Sequence, residues 1–233
     1  MNINNMKKEL LLFLTSNYPI IRVNKDIIEN KYNLFDEVKL LNENDLDEEI
    51  QTIINSIKSK YGNKGYGYWI WKPYLILQEL NKLNDGDILL HLDCHCKLDK
   101  IKDKFNDIIE YLNHSDKPLV VANLGYNDYQ YTTTKLKNAV ENYLKYTFSE
   151  EEMLDHQREA GILFMRKCDF VINYFQQYFS IMKNNIDVIT DAHNNDEDNH
   201  ETFIDNRHDQ SVCSLLSKYY KIESLNIWWS DLH

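Results

Sequence analysis

The run Asp87-Ile88-Leu89-Leu90-His91-Leu92-Asp93-Cys94-His95-Cys96 constrains this chain more than any other stretch. Ile88, Leu89, Leu90 and Leu92 form a nearly continuous apolar row, which reads as a strand buried on both faces. Such strands belong to sheets that helices cover on each side, so an α/β fold is expected. The strand ends at Asp93, with His91 two residues before it and His95 two after. Side chains alternate along a strand, so the three polar groups share one face if the extended geometry runs through residue 95. Strand ends of open α/β sheets are where ligands bind, and a carboxylate with imidazoles there suits a divalent metal. The competing reading is that Asp93 caps the next turn and the histidines are ordinary polar neighbours.

The rest of the chain alternates between strand-like and helix-like segments. Residues 9–14 read as a first strand, 118–122 as a third and 161–165 as a fourth. Leu46, Ile50, Ile53, Ile54 and Ile57 have helical spacing behind Asn44 or Asp45 as N-cap. Residues 62–68 read as a glycine-rich loop, followed by a helix that starts near Pro73. Helices are also expected after the second strand (Ile101 to Leu112), over 135–147, over 168–184 and from Asp209 onward. The acidic stretch 187–206 reads as a mobile loop that could act as a lid, and Ile222 to Trp229 as a last strand. No internal repeat or linker divides the chain, so residues 1–233 are expected to form one domain.

Composition narrows the function. The net charge of −11 argues against nucleic acid as the main partner, because binding a polyanion needs clustered cations. The 16 tyrosines suit polar ligands with apolar faces, such as sugars and nucleotides. Four cysteines (94, 96, 168 and 213) make no secreted disulfide framework, so reduced thiols in a cytoplasm are expected. No segment reaches the roughly 18 apolar residues of a membrane span.

Three further motifs can carry chemistry. In Gly65-Tyr66-Gly67-Tyr68-Trp69-Ile70-Trp71-Lys72-Pro73, glycines admit a ligand near the backbone and aromatics can stack on a base or sugar. Lys72, at a helix start, can meet a phosphate. The plainer reading is an aromatic core cluster, which suits Trp69 and one neighbour best. His156-Gln157-Arg158-Glu159-Ala160-Gly161 brings charge into a strand through a small Ala-Gly pair, or is a salt-bridged loop-to-strand transition. In Asn206-Arg207-His208-Asp209-Gln210-Ser211, Asp209 can be a simple N-cap, but a cap does not call for Arg, His and Gln around it.

Taken in order, these motifs resemble glycosyltransferases of the GT-A fold, which use nucleotide-sugar donors. The likeness spans about residues 9–216. It is nearest to small bacterial and viral enzymes of capsule or lipopolysaccharide assembly, and more distant to the glycogenin and lipooligosaccharide galactosyltransferase group. The resemblance implies a Rossmann-like domain with a mixed, mostly parallel sheet flanked by helices. Asp93-Cys94-His95 falls where that fold has its Asp-x-Asp metal motif, so Asp93 would contact donor and metal and His95 would replace the second aspartate. A metal set of Asp93, His95 and His208 follows, for Mn²⁺ or Mg²⁺, with imidazole favouring the softer ion. The implied donor-binding residues are Thr15, Tyr68, Lys72, Trp71, Asp93, Ala160, Gly161 and Gln210.

The implied reaction moves a sugar from a nucleoside-diphosphate sugar, a UDP-sugar first of all, to a saccharide or glycolipid acceptor. The enzyme would be cytoplasmic or peripheral at a membrane surface. Asp209 or Glu159 is the candidate base for an inverting transfer. Two other readings stand beside it. One is a non-catalytic nucleotide-sugar-binding module with a degenerate metal motif. The other is a zinc site at His91, Cys94, His95 and Cys96, although no second Cys or His pair follows at zinc-finger spacing.

Overall fold

The computed structural model describes residues 6–16, 23–224 and 227, and of residues 98–100 only the backbone. Five strands form one open sheet in the order β2-β1-β3-β5-β4. They are β1 (Lys8–Phe13), β2 (Glu37–Leu41), β3 (Ile88–Leu92), β4 (Leu119–Asn127) and β5 (His156–Arg166). β1 pairs in parallel with β2 and β3, whereas β5 runs antiparallel to both β3 and β4. Four strands therefore point one way and β5 the other. The chain is α/β, as the alternation of segments predicts, and its sheet is mixed.

The α-helices among the described residues are α1 (Lys25–Ile28), α2 (Glu48–Tyr61), α3 (Gly65–Tyr68), α4 (Trp71–Lys82), α5 (Leu98–His114), α6 (Asp128–Tyr131), α7 (Thr134–Leu144), α8 (Glu150–Leu154), α9 (Asp169–Asn184) and α10 (Asp209–Tyr220). The two faces of the sheet follow from strand alternation. Leu10, Leu12, Ile88, Leu90 and Leu92 pack with Ile101, Phe105 and Ile108 of α5. Leu11, Phe13 and Leu89 pack with side chains of α2, α4, α9 and α10. His91 and Asp93 have the parity of Leu89, so they lie on the side where α4 and α10 meet.

Several boundaries differ from the sequence reading. α2 begins at Glu48 because Asp47 caps it, accepting from the Ile50 N–H at 3.1 Å. Asn42 to Asp45 instead close a separate turn as a capping box of their own. β2 was not foreseen. Residues 187–206, expected to be a mobile loop, are tied down. The Asn206 side chain, fully buried, donates to the carbonyls of Val188 and Thr190, and Ile204 N–H donates to Gln130 O. Of the expected last strand, Glu223 forms one parallel bridge with Val120, and Asn123 N–H donates to Ile227 O. Trp228 and Trp229 lie outside the described residues. Among the described residues no helix is long and apolar enough to cross a membrane.

Candidate active site

The chain leaves β1 toward β2 on one side of the sheet and returns to β3 on the other side. This reversal opens a crevice at the carboxyl ends of β1 and β3, the usual ligand position in open α/β sheets. A cavity of about 180 Å³ lies at Asp93, just past β3, lined also by Lys64, Trp69, Lys72, Glu159, Ala160, Arg207, His208, Asp209 and Gln210.

Lys72 is the centre of its charge. The side chain is 3% exposed, and its Nζ lies 3.0 Å from Asp209 Oδ2 and 3.7 Å from Asp93 Oδ1. Burial alone would disfavour the ammonium, but Asp209, Asp93 and Glu159 together hold its pKa above the ordinary lysine value. Burial likewise works against an ionised Asp93, yet Lys72 and His91 keep its carboxyl well below the usual range. Glu159 goes the other way. Burial and the neighbouring Asp93 charge push it up to about 7, against the pull of Lys72 and the Gly161 N–H. Asp209 is raised to about 6 by burial, with Lys72 opposing. One ammonium among three carboxyl groups leaves the weakest acid, Glu159, poised to exchange a proton near neutral pH.

The backbone brings these groups together by two irregularities. The first is in β5. Val121 pairs with Leu163 and Asn123 with Arg158, so two steps along β4 face five along β5. The extra residues form a bulge that contains Glu159-Ala160-Gly161. Bulges of this kind re-aim side chains beside sites. Gly161 leaves room for both carboxylates: a Cβ here would sit 2.5 Å from Asp93 Oδ2 and 2.9 Å from Glu159 Oε1, so those side chains would have to move. Its N–H donates to Glu159 Oε1 at 2.7 Å, and its carbonyl accepts from Asp93 N–H at 2.8 Å.

The second irregularity is α3. Gly65, Tyr66, Gly67, Tyr68 and Trp69 all have positive φ, from 54° to 87°, so the turn winds left-handed. This winding costs non-glycine residues roughly 1–2 kcal/mol each and is confined to strongly supported positions. It reverses the expected roles of the aromatics. Tyr68 and Trp71 were expected to touch the ligand, but both are buried away from the cavity. Tyr68 donates its hydroxyl to Tyr61 O, while Trp71 stacks on Phe13 and donates its Nε1 hydrogen to Gly65 O. Trp69, expected in the core, lines the cavity and stacks on His208, ring centroids 5.6 Å apart and planes within 13°. Arg207, from the motif that begins at Asn206, also lines it, and so does Lys64 of the glycine-rich loop, to which no role was given.

His208 is itself strained, with φ 58° and ψ −118°, and precedes α10 as its N-cap without a side-chain cap bond. Asp209 is therefore not the cap; its carboxyl is free to meet Lys72. His208 Nδ1 lies 2.8 Å from Ile189 O, a bond that makes Nδ1 the protonated nitrogen. Burial and nearby Lys64 lower the ring's pKa to about 4, with Asp191 opposing; Nε2 is buried without a hydrogen bond, 3.5 Å from Asp191 Oδ1.

The expected metal set is not assembled. The strand stops at Leu92, and Cys96 N–H donates to Asp93 O in a turn that carries His95 to the exposed surface. Among the described residues no three His, Cys, Asp or Glu side chains converge as an ion would require. Asp93 and His208 do line the cavity. Thr15 follows β1, half-buried, and is not among the lining residues. Cys94 and Cys96 are buried; burial and Asp93 push the Cys94 thiol up to about 12 and the Cys96 thiol up as well, which disfavours thiolate ligation of zinc. No family model, curated protein or solved structure matches this chain.

Proposed function

We propose that this chain is a glycosyltransferase with a GT-A-like fold, taking a nucleoside-diphosphate sugar, a UDP-sugar first of all, as donor and a saccharide or glycolipid as acceptor. The observation that carries this reading is the buried Lys72 ammonium between Asp93 and Asp209, at the crevice where the sheet order reverses. A sheet with one antiparallel strand among parallel ones, and the order of the four motifs, support it further.

Lys72, with Lys64 and Arg207 at the same cavity, would bind the diphosphate and neutralise the charge that builds on it as the glycosidic bond breaks. Glu159, raised to about 7, would take the proton of the acceptor hydroxyl in an inverting transfer. Asp209 would hold Lys72 in place rather than act as base, since the ion pair occupies it. Trp69 offers an aromatic face for a base or sugar ring.

The donor set fits a divalent ion only in part. Asp93 and His208, which both line the cavity, are the residues that would hold Mn²⁺ or Mg²⁺. When bound, the ion adds positive charge against the leaving diphosphate. The test is a screen of nucleotide sugars that detects released nucleoside diphosphate, with and without Mn²⁺. Release with a UDP-sugar, lost in Asp93→Asn, is expected; no release from any donor, with or without acceptors, overturns catalysis. The exposed position of His95 favours the second reading, a nucleotide-sugar-binding module without turnover. In that case UDP raises the melting temperature but no donor is consumed.

A further inference from the structure

Gln210 lines the cavity from the first turn of α10, and which end of its amide faces the ligand is set through Gln157 by two residues it does not touch, Asp128 and Lys218. Its Nε2 donates to Gln157 Oε1 at 2.7 Å and to the Tyr126 hydroxyl at 3.3 Å, so both amide hydrogens are used. The reason lies deeper. Lys218 has only hydrogens to offer, and it gives them to Asp128 Oδ2 at 2.6 Å and to the carbonyls of Glu152 and Asp155. Ser214 Oγ donates to the same Asp128 oxygen at 2.9 Å. Asp128, fully buried and paired with this ammonium, has only lone pairs to present. Gln157, also fully buried, must therefore turn its NH₂ toward Asp128 Oδ1, at 2.9 Å. Its carbonyl then faces Gln210, and Gln210 must answer with NH₂.

Gln210 Oε1 is the pole left open to the cavity, without a partner among the described residues. We propose that the chain Lys218–Asp128–Gln157 is a polarity lock on Gln210: it makes this corner of the cavity a hydrogen-bond acceptor, which selects a ligand hydroxyl able to donate and turns away an oxyanion or any group with lone pairs alone. Asp128 and Gln157 are positioning residues, and Gln210 is the contact. The ligand class this names, a polyhydroxyl compound such as the sugar of a nucleotide sugar, rests on the glycosyltransferase reading of the cavity; the lock itself does not.

Asp128→Asn tests the lock because it keeps the shape and inverts the logic. Lys218 and Ser214 still demand an oxygen, so the new amide must give them its carbonyl and turn NH₂ toward Gln157. Gln157 then reverses, Gln210 reverses with it, and NH₂ faces the cavity. Neutron diffraction from deuterium-exchanged crystals reads amide orientation without any ligand. The expected result is Gln210 deuterons toward Gln157 in the parent protein and toward the cavity in the variant; the same orientation in both overturns the lock. If Asp128→Asn does not fold, the parent protein still decides: Gln210 deuterons toward the cavity, rather than toward Gln157, overturn the lock.

Binding of UDP-glucose, UDP-galactose and their monofluoro-deoxy analogues tests the ligand. Fluorine accepts weakly but cannot donate. One analogue should bind the parent protein about three- to tenfold more weakly than its hydroxyl counterpart, the scale of one neutral hydrogen bond, and the variant should lose that preference. An equal loss in both proteins overturns the selectivity. If neither UDP-hexose binds the parent protein, the assignment of such a sugar to Gln210 is overturned, and the neutron maps still decide the lock.

Discussion

Lys72 and Asp209 form an ion pair of 3.0 Å in which neither side chain is more than 5% exposed. A buried pair of this kind is costly to break from one side only, because the surviving charge has neither water nor partner. Lys72→Met should therefore destabilise the protein by about 3–5 kcal/mol in urea unfolding at pH 8. The loss should shrink at pH 5, where Asp209, raised to about 6 even beside the ammonium, takes up a proton instead. Adding Asp209→Asn should restore most of the stability at pH 8 but no ligand binding. Full additivity of the two changes would contradict the pairing.

Gly161 gives the second prediction. A methyl group there would press on Asp93 Oδ2 and Glu159 Oε1, both ends of side chains rather than backbone. Such a clash is relieved by moving the carboxylates, at an overpacking cost of about 1–3 kcal/mol. Gly161→Ala should fold, yet displace Asp93 from Lys72 and weaken UDP binding by roughly tenfold or more in calorimetry, a loss of about 1.4 kcal/mol per factor of ten. In a double-mutant cycle with Asp93→Ala the two losses should not add, since both act through one carboxylate.

How much of this was readable in the chain depends on periodicity. β1 and β3 were legible because they are buried apolar rows, and the motifs at Lys72, Asp93, Glu159 and Asp209 do converge on one cavity. β2 was not, because Glu37-Val38-Lys39-Leu40-Leu41 is a half-exposed edge strand with little apolar signal. The convergence of Glu159 and Gly161 depends on a bulge, and bulges leave no trace in a two-residue repeat. The exchange of Trp69 for Tyr68 and Trp71 has the same origin: neither helical nor extended spacing anticipates a left-handed turn. His95 was misplaced because β3 ends at Leu92, three residues before the alternation required.

Glu159 makes stability depend on pH in an unusual direction. Folded, its carboxyl keeps a proton up to about 7, because burial and Asp93 disfavour its charge; the ordinary value is 4.5. Between those values the folded state holds more protons than the unfolded one, so this site's contribution to stability falls as pH rises from about 4.5 through 7. Glu159→Gln removes the titration and keeps an oxygen for the Gly161 N–H. Its melting temperature should exceed the parent's by on the order of a few degrees at pH 8 and match it at pH 5. Donor turnover, if Glu159 is the base, should rise through pH 7 in the parent and be lost in the variant at every pH. A variant no more stable at pH 8 than the parent would show that the carboxyl is not raised.

The left-handed turn can be tested by two glycines. Gly62 has φ 93° and ψ 178°, a region nearly confined to glycine, but a Cβ there meets nothing within 4 Å, so Gly62→Ala adds backbone strain alone, about 1–3 kcal/mol. Gly65 has φ 54°, and its Cβ would lie 2.3 Å from Trp69 Cδ2, inside the indole ring system. Gly65→Ala must therefore push Trp69 out of its place as well as strain the turn. Because Trp69 stacks on His208, and His208 leads directly into Asp209, the displacement reaches the carboxylate that holds Lys72. Gly65→Ala should shift the tryptophan emission maximum, lower the melting temperature more than Gly62→Ala and weaken UDP binding. Gly62→Ala should leave emission and binding unchanged. Equal effects of the two substitutions on emission and binding would remove the turn from any role in shaping the cavity.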